Sequence, residues 1–394
     1  MRIGLLLSAC LFWLNAQAAP LEVATLDRSV WPERLESGQL FNVASRGEIL
    51  SFAHELYLSE GLDENALKAR LSLRQVNLPS INVIRGRMWT RLLNNYQNAK
   101  QDCVVDASFC VLVDDLPMFR ERASEFTVAD DSFYAPWAAP AARFNRVYLN
   151  ELLRMAALFP QTGSEIERYN SDELSGEELP DASFMLNFES GPTAAGGATD
   201  WLADFMRQQK MNAVFFVLGK NLQARLDATP VAELQRVYRG QCVGIQGWEY
   251  RSHSYWVDWQ DSILRAAALA RGNLPDAYVP LFRPPYGHRR ADSASFLRGQ
   301  GIKVSLFNID AQDASPGLRV DQSVDRVVTL MLLWRHGQIV FRDASDKAQS
   351  IVPQLMASTQ QSEVKWHDCH DYPAAEPAPK EDEGAGEEHE TAEE

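Results

Sequence analysis

The sequence predicts an α/β fold, a parallel sheet or barrel in the second half of the chain preceded by a mainly helical region. Three observations carry this. Residues 184–192 read as a buried strand that meets an acid, Glu189, and breaks at Gly191-Pro192, so Glu189 and Ser190 stand at the strand's C-terminal mouth. In parallel α/β folds the chemistry sits at that mouth. A helix then opens at Thr199 and Asp200, with Trp201, Leu202, Phe205 and Met206 on one face, and the apolar run 213–219 follows as a second strand, which completes a βαβ unit. Upstream, residues 143–159 carry a helical stripe of Val147, Leu149, Leu152, Leu153, Ala156 and Leu158, stopped by Pro160.

Taken in order, the chain opens with a positive start at Arg2, an apolar stretch over 3–14 and a small-residue cleavage site at Ala16-Gln17-Ala18. This predicts a signal peptide over 1–18 and a periplasmic or secreted protein. A lipoprotein attached through Cys10, in Leu7-Ser8-Ala9-Cys10, is the alternative. No later window has 18 uninterrupted apolar residues, so no membrane-spanning helix is expected after the leader.

Residues 20–178 form the mainly helical accessory region. Residues 63–73 and 143–159 read as helices, whereas 106–119 and 126–140 read as irregular. Two readings stand for this region: a helical domain covering the barrel, or an exposed aromatic sugar platform around Tyr134-Ala135-Pro136-Trp137. The spacing of Cys103 and Cys110 suits a local disulfide in an oxidising compartment; whether Cys242 and Cys369 meet is left open. The polar, acidic stretch 164–182 reads as a linker to a domain over 183–358.

The net charge is -15. Residues 374–394 hold nine Asp or Glu against Lys380 alone, a tail of -8 that leaves the body near -7. A tail of that composition is expected to be disordered, and so acidic a body argues against nucleic acid as a partner.

Five segments in this order carry a resemblance. They are Asn187-Phe188-Glu189-Ser190-Gly191-Pro192 with the 213–219 strand; the strand 241–246 running on to His253; Arg283-Pro284-Pro285-Tyr286-Gly287; residues 303–313; and residues 333–343. Together they resemble the polysaccharide deacetylase family, the NodB-homology or carbohydrate esterase family 4 domain. The resemblance implies a deformed (β/α) barrel of the NodB-homology type and the removal of acetyl groups with a divalent metal such as zinc. It sets Glu189 on the general base, Ser190 on the metal carboxylate, Gln246 and Tyr250 on the two metal histidines, and Arg342 on the histidine that acts as general acid. Arg283 falls on the family's arginine, Asp310 on the aspartate that orients it, and Tyr286 on the residue whose backbone N–H faces the reacting carbonyl oxygen.

Read that way, every metal ligand is replaced by a neutral oxygen, and these hold a divalent cation far more weakly than a carboxylate and two imidazoles. Arg342 is no general acid, because a guanidinium keeps its proton. Counting charges, Arg342 is expected to stand in for the ion and pair with Glu189, which leaves the pocket neutral without a metal or other cofactor. Trp248, His253 and Trp256, with Tyr255 and Trp259 nearby, are the expected sugar-binding residues. The segment 366–371 reads as a terminal piece tied down by Cys369.

The expected function is an exported, non-catalytic or strongly impaired family member. It would bind or scaffold on a cell-envelope or extracellular polysaccharide or on peptidoglycan, beside an active deacetylase or another envelope protein. The alternatives are an active hydrolase removing N- or O-acetyl groups, with Glu189 as base and an unorthodox or absent metal, and a protein–protein regulator that keeps only the fold.

Overall fold

Among the described residues, five α-helices build the first half: α1 (Gly38–Glu60), α2 (Glu64–Leu71), α3 (Leu78–Ala99), α4 (Leu116–Ser124) and α5 (Ala135–Leu158). The computed structural model describes residues 22–372; the leader expected at 1–18, Cys10 and the tail expected at 374–394 lie outside the described residues. Each of α1 to α4 begins on a side chain that accepts a hydrogen bond from an otherwise unpaired N–H of the first turn, Ser37, Asp63, Asn77 and Asp115 in turn.

The stretch around Tyr134, expected to be irregular, instead starts α5, with Pro136 in the first turn where its missing N–H costs nothing. Trp137 is fully buried, its Nε1 donating to Glu48 Oε1 at 2.9 Å, and Tyr134 is 8% exposed. The exposed-platform reading of this segment is therefore corrected: its rings pack with Trp31 and Phe109 in the helical core.

The second half alternates strands and helices: β1 (Ser183–Gly191), α6 (Ala198–Gln208), β2 (Val214–Val217), α7 (Gly219–Ala228), α8 (Val231–Val237), β3 (Cys242–Ile245), α9 (Trp259–Asn273), β4 (Tyr278–Phe282), α10 (Ser293–Gly299), β5 (Lys303–Val304), β6 (Ile309–Asp310), α11 (Val320–Trp334), β7 (Gly337–Arg342), α12 (Ala348–Thr359) and β8 (Lys365–Trp366). The strand order is β5-β4-β3-β2-β1-β7-β6, every neighbour pairs in parallel, and β8 adds to the start of β1. This is the expected parallel α/β half-barrel with helices around it.

Alternation along β1 sorts its side chains between two cores. Phe184, Leu186 and Phe188 join the large core shared with the helices, whereas Met185 joins Val214, Phe216, Cys242 and Leu281 inside the barrel. Asn187 and Glu189 have the parity of Met185, so Glu189 rises from the barrel interior at the mouth. The large core continues without a break from α1, α3 and α5 into α11 and α12.

The polar stretch 164–182, expected to be a linker, is packed against the barrel. Leu174 bridges Ser305 beside the β5 edge, and Glu173 is buried in an ion pair with Arg289, whose Nε donates to Glu173 Oε1 at 2.7 Å. Cys103–Cys110 and Cys242–Cys369 are both disulfides, and the second fixes the segment after β8 to β3, as expected of Cys369.

Candidate functional site

The register brings the C-terminal ends of two adjacent strands together, Glu189 near the end of β1 opposite Arg342 at the end of β7, with Asp310 ending β6 next to them. Gln246 follows β3, and Arg283 follows β4, where Pro284 and Pro285 stiffen the turn. All five side chains converge on the C-terminal mouth of the half-barrel.

Arg342 lies at the centre. Its Nη1 and Nη2 donate to Asp310 Oδ1 and Oδ2 at 2.6 and 3.3 Å, its Nε is 3.3 Å from Glu189 Oε1, and Nη1 is 3.6 Å from Asp313 Oδ1. Contact between Arg342 and Glu189 is thus present as expected, but Asp310 is the nearer partner. The expected Arg283–Asp310 pair is not formed. Arg283 points into the barrel instead, with Nη2 donating to Asn187 Oδ1 and Gln338 Oε1, both at 3.1 Å, and Nη1 3.7 Å from Glu189 Oε2. The physical reason is reach: Arg283 is fully buried beneath the mouth, where neutral amide oxygens surround it, while Arg342 covers Asp310 from the adjacent strand.

Burial pushes the Glu189 carboxyl up, opposed by the charges of Arg342 and Arg283. For Asp310 burial acts in the same direction, yet Arg342 holds it below the usual carboxylate value. Asp310, Glu189 and Asp313 raise Arg342 well above its usual value against the cost of burial.

The residues on the family's ligand positions bond to one another. Ser190 Oγ donates to Gln246 Oε1 at 3.1 Å, and Gln246 Nε2 donates to Glu189 Oε2 at 3.2 Å. Burial keeps the Tyr250 hydroxyl protonated. Three neutral groups, two already hydrogen-bonded to each other, beside carboxylates that a guanidinium already occupies do not fit a divalent cation. Among the described residues, the His, Cys, Asp and Glu side chains that converge tightly enough for an ion are Cys242, Cys369 and His370, and these two thiols are joined as a disulfide.

In front of Glu189 opens a cavity of about 330 Å³. Its floor includes Glu189, Asp310 and Arg342, and Leu152, Met155 and Leu158 of α5 together with Glu165 and Ile166 roof it, so the helical region closes over the site. Tyr250 and Tyr286 line the cavity with ring centroids 4.5 Å apart, both partly exposed. Tyr286 adopts φ 60°, a left-handed backbone conformation uncommon for a residue other than glycine.

Trp248, His253 and Trp256 are not brought to this cavity. Trp248 lies under the guanidinium of Arg265, 3.4 Å from carbon to ring centroid, and against Gly219. His253 is fully buried, with Nε2 3.1 Å from Ser262 Oγ, and burial pushes it down to about 4, so the ring is neutral. Trp256 packs edge-on to it. These three form a side layer behind the mouth, and the sugar-binding expectation for them is corrected on geometry.

Sequence reasoning missed Glu165, Asp313 and Asp343. Burial pushes their carboxyls up to about 7, about 6 and about 8 respectively. Asp313 and Asp343 sit inside the fourth and fifth motif segments and were open to notice; Glu165, in a stretch read as linker, carried no signal.

Fold and site together define an α/β half-barrel protein with its pocket at the strand mouths. Residues 176–305 match the family model for polysaccharide deacetylase, and the α/β half-barrel to which they belong has the NodB-type fold. Solved structures similar to it include peptidoglycan deacetylase PdaC from Bacillus subtilis, 20% identical over 48% of this chain and 86% of that one with a TM-score of 0.39. A CE4 family pseudoenzyme from Bacillus anthracis is 12% identical over 51% of this chain and 68% of that one, with a TM-score of 0.43. A family 4 carbohydrate esterase from Streptomyces lividans is 22% identical over 45% and 88%, with a TM-score of 0.37. No curated protein matches the chain.

Proposed function

We propose that this chain is an exported polysaccharide-binding protein of the polysaccharide deacetylase family that does not deacetylate its ligand. One observation carries the reading: the Arg342 guanidinium lies on Glu189 and Asp310 at 3.3 and 2.6 Å. A general base needs a carboxylate oxygen free to take a proton from water. Glu189 has Arg342 at Oε1, and Gln246 and Arg283 at Oε2.

The remaining features suit binding. Tyr250 and Tyr286 offer ring faces to the apolar sides of sugar rings at the cavity wall. The ligand class is a cell-envelope or extracellular polysaccharide, peptidoglycan included, and an active deacetylase or another envelope protein is the expected neighbour. Two disulfides agree with a periplasmic or secreted site of action.

The test is co-sedimentation of the purified full chain with peptidoglycan and with chitin, run beside an acetate-release assay supplemented with zinc, cobalt or manganese. Retention on glycan without acetate release is the expected result. Acetate release that disappears in Glu189→Gln overturns the reading in favour of a working hydrolase.

A further inference from the structure

The cavity has a carboxyl left over. Among the ionisable groups that line it, Glu151 is matched by Arg326, with Nη2 to Oε2 at 2.7 Å, and Glu189 and Asp310 are matched by Arg342 together with Arg283 beneath. His288 is neutral, since burial pushes it down to about 4. Glu165 remains. The two guanidinium groups that act on it most strongly are committed elsewhere, Arg289 to Glu173 and Arg342 to Asp310.

That carboxyl has a fixed place. The backbone on either side of it is held by Arg289, whose Nη1 donates to Ser164 O at 2.6 Å and Nη2 to Glu167 O at 2.7 Å. Gly287 leaves room for it, because a Cβ there would come within 2.8 Å of Glu165 Oε2. A volume of about 330 Å³ is at the low end of the roughly 300–1,000 Å³ of small-molecule sites, and Leu152, Met155 and Leu158 of α5 take part of its wall. A short saccharide fits that space and a long internal stretch of polymer does not.

We propose that the cavity binds a short amino-sugar chain end bearing a free ammonium, which pairs with Glu165 while the ring lies against Tyr250 and Tyr286. This rests on the polysaccharide-binding reading and narrows it to a de-N-acetylated hexosamine. The acetylated sugar would put a bulkier neutral amide beside Glu165, which can offer an N–H but no countercharge to the carboxylate, a weaker match. The same carboxyl is pushed up to about 7 in the ligand-free protein, as expected of a group that lacks a cation.

The experiment is isothermal titration calorimetry of the full chain at pH 7, where the sugar amine is largely an ammonium, with three disaccharides: β-1,4-linked glucosamine dimer, its di-N-acetyl form, and cellobiose. The glucosamine dimer should bind about tenfold more tightly than either neutral sugar, the size of effect a charge-assisted hydrogen bond supplies, and Glu165→Gln should remove most of that preference. Leu152→Trp, which fills the roof side of the cavity, should abolish binding of all three while leaving the far-ultraviolet circular dichroism unchanged. Equal or better binding of the di-N-acetyl dimer, or a preference that survives Glu165→Gln in a variant that melts like the parent, overturns the proposal. Retention on acetylated polymer with no disaccharide binding overturns it and leaves the polysaccharide-binding reading standing; no binding to any glycan, soluble or insoluble, removes both.

Discussion

Arg342 and Asp310 form a two-pronged ion pair across adjacent strands, Nη1 to Oδ1 at 2.6 Å and Nη2 to Oδ2 at 3.3 Å, and Arg342 also reaches Glu189 and Asp313. One cation therefore faces three carboxyl groups at the mouth of the barrel. Glu189 and Asp313 are almost fully buried and Asp310 largely so, and the guanidinium offsets the hydration these carboxylates lose on folding.

Arg342→Ala should accordingly destabilise the fold by about 3 kcal/mol, the usual cost of leaving buried charges unpaired. Arg342→Lys, which keeps the charge and loses the fork, should cost less. Urea denaturation at pH 7 reads both. Parent-like stability in Arg342→Ala would show that the guanidinium does not compensate these acids.

Stability should fall as pH rises from about 6.5 to 8. Burial holds Glu165 at about 7 and Asp343 at about 8, so the folded chain keeps protons that the unfolded chain, with ordinary carboxyls, has already lost. A state that binds more protons is favoured at low pH, so the contribution of these groups declines with rising pH until the folded values are passed. Below about 6.5 the trend is opposed by His253, His288 and His336, each pushed down to about 4 by burial, because there the unfolded chain takes up the extra protons. Each such carboxyl contributes on the order of 1–2 kcal/mol across the window. Asp343→Asn, which keeps an oxygen for the hydrogen bond donated by Thr199 Oγ1 at 2.9 Å, should flatten the profile. Melting temperatures at pH 6.5, 7.25 and 8 check it, and an unchanged slope in the variant would remove Asp343 as the cause.

The strand mouths were legible in the sequence because an apolar run ended by Glu189 and Gly191-Pro192 fixes both a strand and its end; Arg342 was located by the resemblance of residues 333–343 to the family's last motif. Which charged groups meet across the barrel was not legible. Arg283 was expected on Asp310, and only the depth of Arg283 in the interior decides that Asn187 and Gln338 receive it instead. Helix α1 escaped notice because it is buried on nearly every side and includes Arg46 and Glu48 among its buried residues, so no apolar stripe stands out. Arg46 is accommodated by the carbonyls of Ala99, Ser108 and Asp106, which lie more than 50 residues away in sequence. Glu173 falls in a stretch that reads as linker for the same reason: polar composition predicts exposure unless a distant partner, here Arg289, supplies the hydrogen bonds.

The Cys242–Cys369 disulfide spans 127 residues, whereas Cys103–Cys110 spans seven. Closing a longer loop removes more freedom from the unfolded chain, about 4–5 kcal/mol for a loop on the order of 100 residues and about half that for the short one. The double variant Cys242→Ser/Cys369→Ser should therefore melt well below Cys103→Ser/Cys110→Ser, and it should also loosen β8 where it meets Phe184. Differential scanning calorimetry of both variants tests the order. A reversed order would mean that the short loop is where the disulfide matters to the fold.

Glu151 of α5 and Arg326 of α11 join the roof to the barrel. Arg326 donates through Nη1 and Nη2 to Glu151 at 3.1 and 2.7 Å, through Nη1 also to Ala24 O at 2.9 Å, and through Nε to Asp310 O at 3.0 Å. Glu151 in turn accepts from Ala24 N at 2.6 Å. Glu151→Ala would leave Arg326 buried without a carboxylate and the Ala24 N–H without its acceptor, so a loss of about 3–5 kcal/mol is expected in urea denaturation. Glu151→Gln keeps one acceptor oxygen and should cost less. Because the same two residues line the cavity, limited proteolysis adds a readout that total stability does not give: cleavage within 159–172 should quicken in Glu151→Ala as the α5 roof loosens. Slow cleavage at that segment, together with the full stability loss, would place the effect in the barrel and not in the roof.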